Sequence, residues 1–229
     1  MLHIESSFSV QILGFLSRLK ISQTLPAGVE VLNPYNDKNV FELCRKFYSK
    51  YYNDDAERYL ILGINPGRFG GGLTGIPFTD PVKLEAQCGI INDLGKKTEL
   101  SADFMYTMIN AYGGPEKFYS RFYFSSISPL GFTMAGKNLN YYDMKELQQN
   151  LRPFILDSLT STLRMPVART VCFCLGEDKN YKFLSALNDE FKFFEVIKPL
   201  PHPRFIMQYR RKKLTEHIEN YLRQLTSAL

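Results

Sequence analysis

Two polar side chains in this sequence stand where chemistry could be done on a ligand, Asn65 and His202. Asn65 follows an apolar run, Tyr59-Leu60-Ile61-Leu62, that stops at Gly63 and turns through Asn65-Pro66-Gly67. Such a run, closed by turn residues, predicts a strand buried on both faces. Open α/β sheets bind ligands beyond the carboxyl ends of their strands, and Asn65 is the only polar side chain at the mouth of this one. Pro66 fixes its own φ and keeps Asn65 extended, so the amide is aimed. Five glycines between Gly67 and Gly75 then let the backbone approach something flat or charged. His202 follows a second apolar stretch and lies between Pro201 and Pro203, which hold the imidazole at that strand's end. An amide presents a donor and an acceptor together, and an imidazole can donate to developing negative charge.

The elements that must position these two groups alternate along the chain. Strands are predicted at Tyr59 to Leu62, Arg121 to Ile127, Arg169 to Leu175 and Phe193 to Lys198. Helical spacing covers Phe8 to Lys20, and Asn39 to Tyr52 with Val40, Leu43, Cys44 and Phe47 on one stripe and Asp37 or Asn39 as N-cap. A short helix lies within Asp80 to Gly95, and another runs from Ser101 to Gly113-Gly114. A long helix runs from Asp143 to about Leu163, where Pro153 either kinks it or begins a new one. Asn180 to Asn188 is helical, and a closing helix buries Leu214, Ile218, Tyr221, Leu222 and Leu225. Gly28 to Tyr35 is a loop or a short extended piece. Four buried strands separated by helices imply an α/β fold, a three-layer α/β/α sandwich around a central, mainly parallel four-stranded sheet. With no repeat, low-complexity tract or linker, residues 1–229 are expected to form one domain.

Hydrophobic residues make up 45% and charged residues 22%, which excludes a disordered or fibrous chain. No apolar run approaches a membrane span and no signal-like segment opens the chain, so a cytoplasmic protein is expected. The net charge of +5 permits a polyanionic partner without demanding one. Cys44, Cys88, Cys172 and Cys174 include no Cys-x-x-Cys pair and are expected to be buried structural thiols. No Cys, His, Asp and Glu cluster has ligand spacing, so neither metal nor cofactor is expected. His3 and His217 are assigned solvated or packing roles.

The stretch after the first strand resembles motif one of the uracil-DNA glycosylase superfamily. The nearest branch is the single-strand-selective monofunctional uracil-DNA glycosylases, with the pattern Gly-Met-Asn-Pro-Gly, Phe-Gly, Thr-Gly-Val-Pro-Phe. Here these positions read Gly63-Ile64-Asn65-Pro66-Gly67, Phe69-Gly70 and Thr74-Gly75-Ile76-Pro77-Phe78, without a gap. Pro201-His202-Pro203 falls where that family has His-Pro-Ser-Pro. The resemblance spans about Arg58 to Arg210, with its specific residues in three short places. It implies a monofunctional glycosylase acting on DNA that contains uracil or a modified pyrimidine such as 5-hydroxymethyluracil, as a monomer, in base excision repair. Asn65 would position the attacking water, Phe78 would stack on the extruded base, and His202 would donate to the pyrimidine oxygen that gains charge. Gly63, Ile64 and Gly67 would complete the base site.

Three departures qualify this resemblance. Counting back from Pro129-Leu130 puts Ser126 where the family carries a base-reading Asn. Gly71 replaces a larger pocket residue, leaving extra room beside the fifth carbon of the base. After His202 the family's second Pro is absent, and Arg204, Phe205, Ile206 and Met207 take the place of its duplex-entering wedge. Arg210, Arg211, Lys212 and Lys213 would lie near phosphates, their charges opposing the dipole of the helix they begin. Two other readings stay open: a nucleic-acid-binding relative with weak or no excision, which Ser126 favours, and a nucleotide-binding α/β protein. The second lacks a P-loop Lys-Ser/Thr pair after the glycines.

Overall fold

The structure is a computed structural model that describes residues 7–228; His3 lies outside the described residues. Its strands are β1 (Val29–Leu32), β2 (Arg58–Gly63), β3 (Phe122–Ser126), β4 (Gly131–Met134), β5 (Lys137–Leu139), β6 (Val167–Leu175) and β7 (Val196–Leu200). Its helices are α1 (Phe8–Leu16), α2 (Lys38–Tyr51), α3 (Gly71–Thr74), α4 (Pro81–Cys88), α5 (Leu100–Tyr112), α6 (Pro115–Tyr119), α7 (Lys145–Thr162), α8 (Lys179–Phe191), α9 (Pro203–Tyr209) and α10 (Leu214–Thr226).

The main sheet has four parallel strands in the order β3-β2-β6-β7, flanked by helices, as the alternation of strands and helices predicts. The strand order reverses direction at β2, so its carboxyl end opens into the crevice where such sheets bind ligands. Leu60, Ile61 and Leu62 are almost wholly buried there. Each such side chain contributes about 1.5–3 kcal/mol of burial, which fixes β2 as the centre of the core. Arg58 anchors the other end of β2, donating to the Tyr119 carbonyl at 2.8 Å and pairing with Asp54 at 2.9 Å.

Several boundaries differ from the sequence reading for local reasons. β7 begins at Val196 rather than Phe193, because the Asn188 amide clamps Phe194 through both backbone groups, at 2.8 and 3.0 Å. That strand also lies at the sheet edge and is half-exposed, not buried on both faces. α8 continues to Phe191, where Lys192 turns left-handed at φ 53°. α7 is a single helix that carries Pro153 in its interior. α1 stops at Leu16, short of Lys20. Asp37 caps α2 by accepting from the Asn39 and Val40 amides.

A second sheet, β1-β4-β5, is antiparallel, and the sequence reading left most of it as loop. The β4–β5 hairpin turns at Ala135-Gly136, both at positive φ (49° and 69°). Ala is a poor signal for such a turn, which normally calls for Asn or Gly at both central positions. This small sheet reaches over the end of β2, and Leu139 and Tyr141 touch Asn65 there.

Candidate active site

Beyond β2 the chain stays tied to the extension of β3. The Ile127 amide donates to the Gly63 carbonyl at 3.0 Å, and the Ser128 amide to the Ile64 carbonyl at 3.1 Å. Asn65 therefore leaves the sheet in a fixed direction. Its Nδ2 donates to the Leu139 carbonyl at 3.2 Å and its Oδ1 accepts from the Tyr141 amide at 3.0 Å. Nδ2 also donates to the Pro66 carbonyl at 3.4 Å, so one lone pair of Oδ1 remains for a ligand. The same hairpin holds the glycine loop, for the Arg68 amide donates to Asn138 Oδ1 at 3.1 Å.

The Thr74-to-Phe78 turn is closed by one hydroxyl. Thr74 Oγ1 donates to the Thr79 carbonyl at 2.6 Å and accepts from the Ile76 amide at 3.1 Å. Phe78 is driven to φ 56°, a left-handed conformation costing a bulky residue about 1–3 kcal/mol. The strain aims its ring over the end of β2, beside Phe124 (centroids 5.3 Å) and His202 (6.4 Å). Gly63 makes this approach possible, since a Cβ there would lie 2.7 Å from Phe78 Cζ.

His202 caps the N-terminus of α9, its Nδ1 accepting from the Arg204 amide at 3.2 Å. That bond assigns the ring proton to Nε2. Burial, aided by the Arg204 guanidinium, pushes the imidazole pKa down to about 4. The ring is thus neutral at pH 7 with one N–H to donate. Tyr221 steadies the preceding turn by donating its hydroxyl to the Pro201 carbonyl.

Asn65, Phe78, Ser126 and His202 converge on one recess of about 50 Å³, together with Ile64, Gly67 and Gly71. Ser126 is buried opposite Gly63 in the β2–β3 register. The recess adjoins an outer groove of about 610 Å³ walled by Arg68, Phe69, Lys137, Arg204, Phe205 and Tyr209. Gly63 lies beneath Phe78 rather than on the recess wall. The structure also brings in Glu99 and Ser101, which the sequence reading missed. Glu99 stands just before α5 and resembles an ordinary helix-start acid, so nothing local marks it. Burial raises its pKa to about 7, with Arg204 opposing the rise and Asp80 adding to it.

The segment after His202 needs correction. α9 turns Ile206 and Met207 inward, at 0% and 8% exposure, so neither can serve as an apolar wedge. Arg204 and Phe205 face out, with Phe205 45% exposed and 5.5 Å from the ring of Tyr209. The helical period explains the split, since residues 203, 206 and 207 share the face turned to the core. Arg210 does not begin a helix but ends α9, its guanidinium over Phe205 at 5.7 Å, and Arg211–Lys213 form a 3₁₀ turn before α10. A cation at the C-terminus of α9 favours its dipole, so Arg210 carries no local electrostatic cost there. All four basic side chains are exposed, and none of them lines the groove.

Among the described residues, no group of three or more His, Cys, Asp and Glu side chains is placed to hold a metal ion. The four cysteines are buried free thiols. No helix among the described residues is long and apolar enough to cross a membrane.

An aimed amide, a neutral imidazole and a strained aromatic ring thus meet at the mouth of a parallel sheet. Residues 49–226 match the family model described as Uracil DNA glycosylase superfamily, and the chain belongs to that superfamily. It is a DNA N-glycosylase, a hydrolase of base excision repair whose substrate is DNA. A solved structure to which it is similar is that of wild-type SMUG2 from Pedobacter heparinus, at 44% identity and a TM-score of 0.95, covering 97% of this chain and 98% of that chain. No curated protein shows a significant match.

Proposed function

We propose that this protein excises uracil, and oxidised pyrimidines such as 5-hydroxymethyluracil, from DNA by hydrolysing the N-glycosidic bond, with Asn65 and His202 as its catalytic pair. The observation that carries the reading is the shared recess of a pinned Asn65 amide and a neutral His202 N–H. A base in duplex stacking cannot enter so narrow a recess, so the target nucleotide must be extruded. Phe78 then stacks on the pyrimidine, and Ser126 reads its polar edge. The free lone pair of Asn65 holds a water against the sugar's anomeric carbon. A neutral imidazole is a weak acid, so His202 stabilises the departing base as an anion by hydrogen bonding rather than by giving up its proton.

Gly71 on the recess wall supports room for a substituent at the fifth carbon. Arg204 and Phe205, which face outward, would fill the gap left by the extruded base, and Arg210, Arg211, Lys212 and Lys213 would meet flanking phosphates. The protein acts as one domain and as a monomer, in the cytoplasm. Incubation with uracil-containing oligonucleotide followed by alkaline cleavage tests the reading. Strand scission dependent on uracil supports it. Binding without scission would instead favour the weakly active relative that Ser126 raises.

A further inference from the structure

Glu99 has no task in this mechanism, yet its carboxyl lies directly against the glycine loop. A Cβ on Gly70 would lie 1.9 Å from its Oε2, and one on Gly67 would lie 2.9 Å from its Oε1. The carboxyl sits on the wall common to the recess and the outer groove, beside Asn65, Ser101 and His202. Its backbone amide is held by Asp80 at 2.9 Å. Its carboxyl oxygens receive no hydrogen bond among the described residues. The charged and titratable groups around it are Arg204 from α9, Asp80 from the start of α4 and His202 at the foot of α9, with Arg68, Lys137, Tyr142 and Tyr209 on the wall of the same groove.

We infer that Glu99 works as a neutral carboxylic acid on the wall of the base site, and that its ionisation sets the alkaline limit of excision. The inference rests on the glycosylase reading above. In that reaction the leaving pyrimidine becomes an anion inside the recess. A carboxylate on the same wall would repel it across a poorly screened gap. The neutral acid instead presents an O–H donor and a carbonyl acceptor side by side, the pairing an amide would offer and the Ser126 hydroxyl does not. The proton stays on Glu99 throughout; the group is a determinant of base binding, not an acid catalyst. Burial favours the neutral form and Asp80 adds to it, while Arg204 opposes it.

The test is single-turnover uracil release across the neutral range by the full-length protein and by Glu99→Gln, which keeps a donor and an acceptor but cannot ionise. The wild-type rate should fall above an apparent pKa near neutrality, by up to about tenfold per pH unit. Glu99→Gln should lack that descending limb, whatever its plateau rate. Identical profiles for the two proteins would overturn the inference and leave Glu99 a packing residue. Infrared difference spectroscopy between the same proteins reads the carboxyl directly. A protonated C=O band present in the wild type, absent in Glu99→Gln and lost on alkalinisation, supports the inference; its absence at mildly acid pH overturns it. If neither protein releases uracil, the glycosylase reading falls and the alkaline limit with it, while the band still reports the state of Glu99.

Discussion

Asn65 and Tyr141 lie 76 positions apart, yet the Tyr141 amide donates to the Asn65 side chain at 3.0 Å. That bond, with the Leu139 carbonyl at 3.2 Å, makes the β4–β5 hairpin and the residues after it the clamp that orients the Asn65 amide. The hairpin also holds Arg68 through Asn138. Asn138→Ala should therefore slow excision without touching the reacting atoms. The expected loss is about fivefold to tenfold, the value of one hydrogen bond of about 1–1.5 kcal/mol. Single-turnover kinetics should place this loss in the chemical step, with oligonucleotide affinity little changed.

The β2 end of the site was legible in the sequence because one physical signal marks it. An apolar run, a glycine, and an Asn-Pro pair can hardly do anything but end a buried strand and aim a side chain. β3 and β6 were legible from their apolar runs, whereas β7 was expected three residues early because most of it is partly exposed. The small sheet was not, because β1, β4 and β5 are short, partly exposed and joined through Ala135-Gly136, a weak turn signal. Glu99 was invisible for another reason: its place depends on the glycine loop folding back onto the start of α5, a contact between segments about thirty residues apart. The inward turn of Ile206 and Met207 was in principle readable from helical period, but the start of α9 at Pro203 had first to be known.

Ser126 lies buried in register with Gly63, at the position where the sequence resemblance would put an Asn. Ser126→Asn should raise uracil excision by about 0.5–1.5 kcal/mol, up to about tenfold, and narrow the range of bases accepted. Single-turnover rates on uracil and 5-hydroxymethyluracil measure both effects. Unchanged rates and an unchanged ratio would remove Ser126 from base reading.

α9 separates two kinds of side chain that adjoin in sequence. Ile206→Ala should cost about 2–5 kcal/mol of stability through its cavity, seen as a lower denaturant midpoint. Phe205→Ala should leave stability nearly unchanged and weaken excision from duplex more than from single strands. Neutralising Arg210, Arg211, Lys212 and Lys213 together should flatten the salt dependence of binding. On duplex DNA the log–log slope should shrink by about 0.9 for each phosphate that is no longer neutralised. An unchanged slope would make that run a solvated turn only.

The pKa of His202 is depressed to about 4 from an ordinary 6.5, so between those values the unfolded chain binds more protons than the native one. Stability contributed by His202 is therefore present above pH 6.5 and lost as pH falls toward 4. Denaturant melts of the wild type and His202→Gln over that window should diverge, the wild type losing more stability toward the acid end. Parallel curves would show that the imidazole is not held neutral.

The pairing of Asn65 with His202 in one recess is tested most directly by single-turnover uracil release from one oligonucleotide, with binding measured in parallel. Asn65→Ala and His202→Ala should each lower the rate by about a hundredfold or more while affinity stays close to wild type. The wild-type rate should also show no acid inflection near pH 6.5, because His202 is already neutral there. Turnover near wild type in His202→Ala, or an acid limb near 6.5 that this substitution abolishes, would contradict the account.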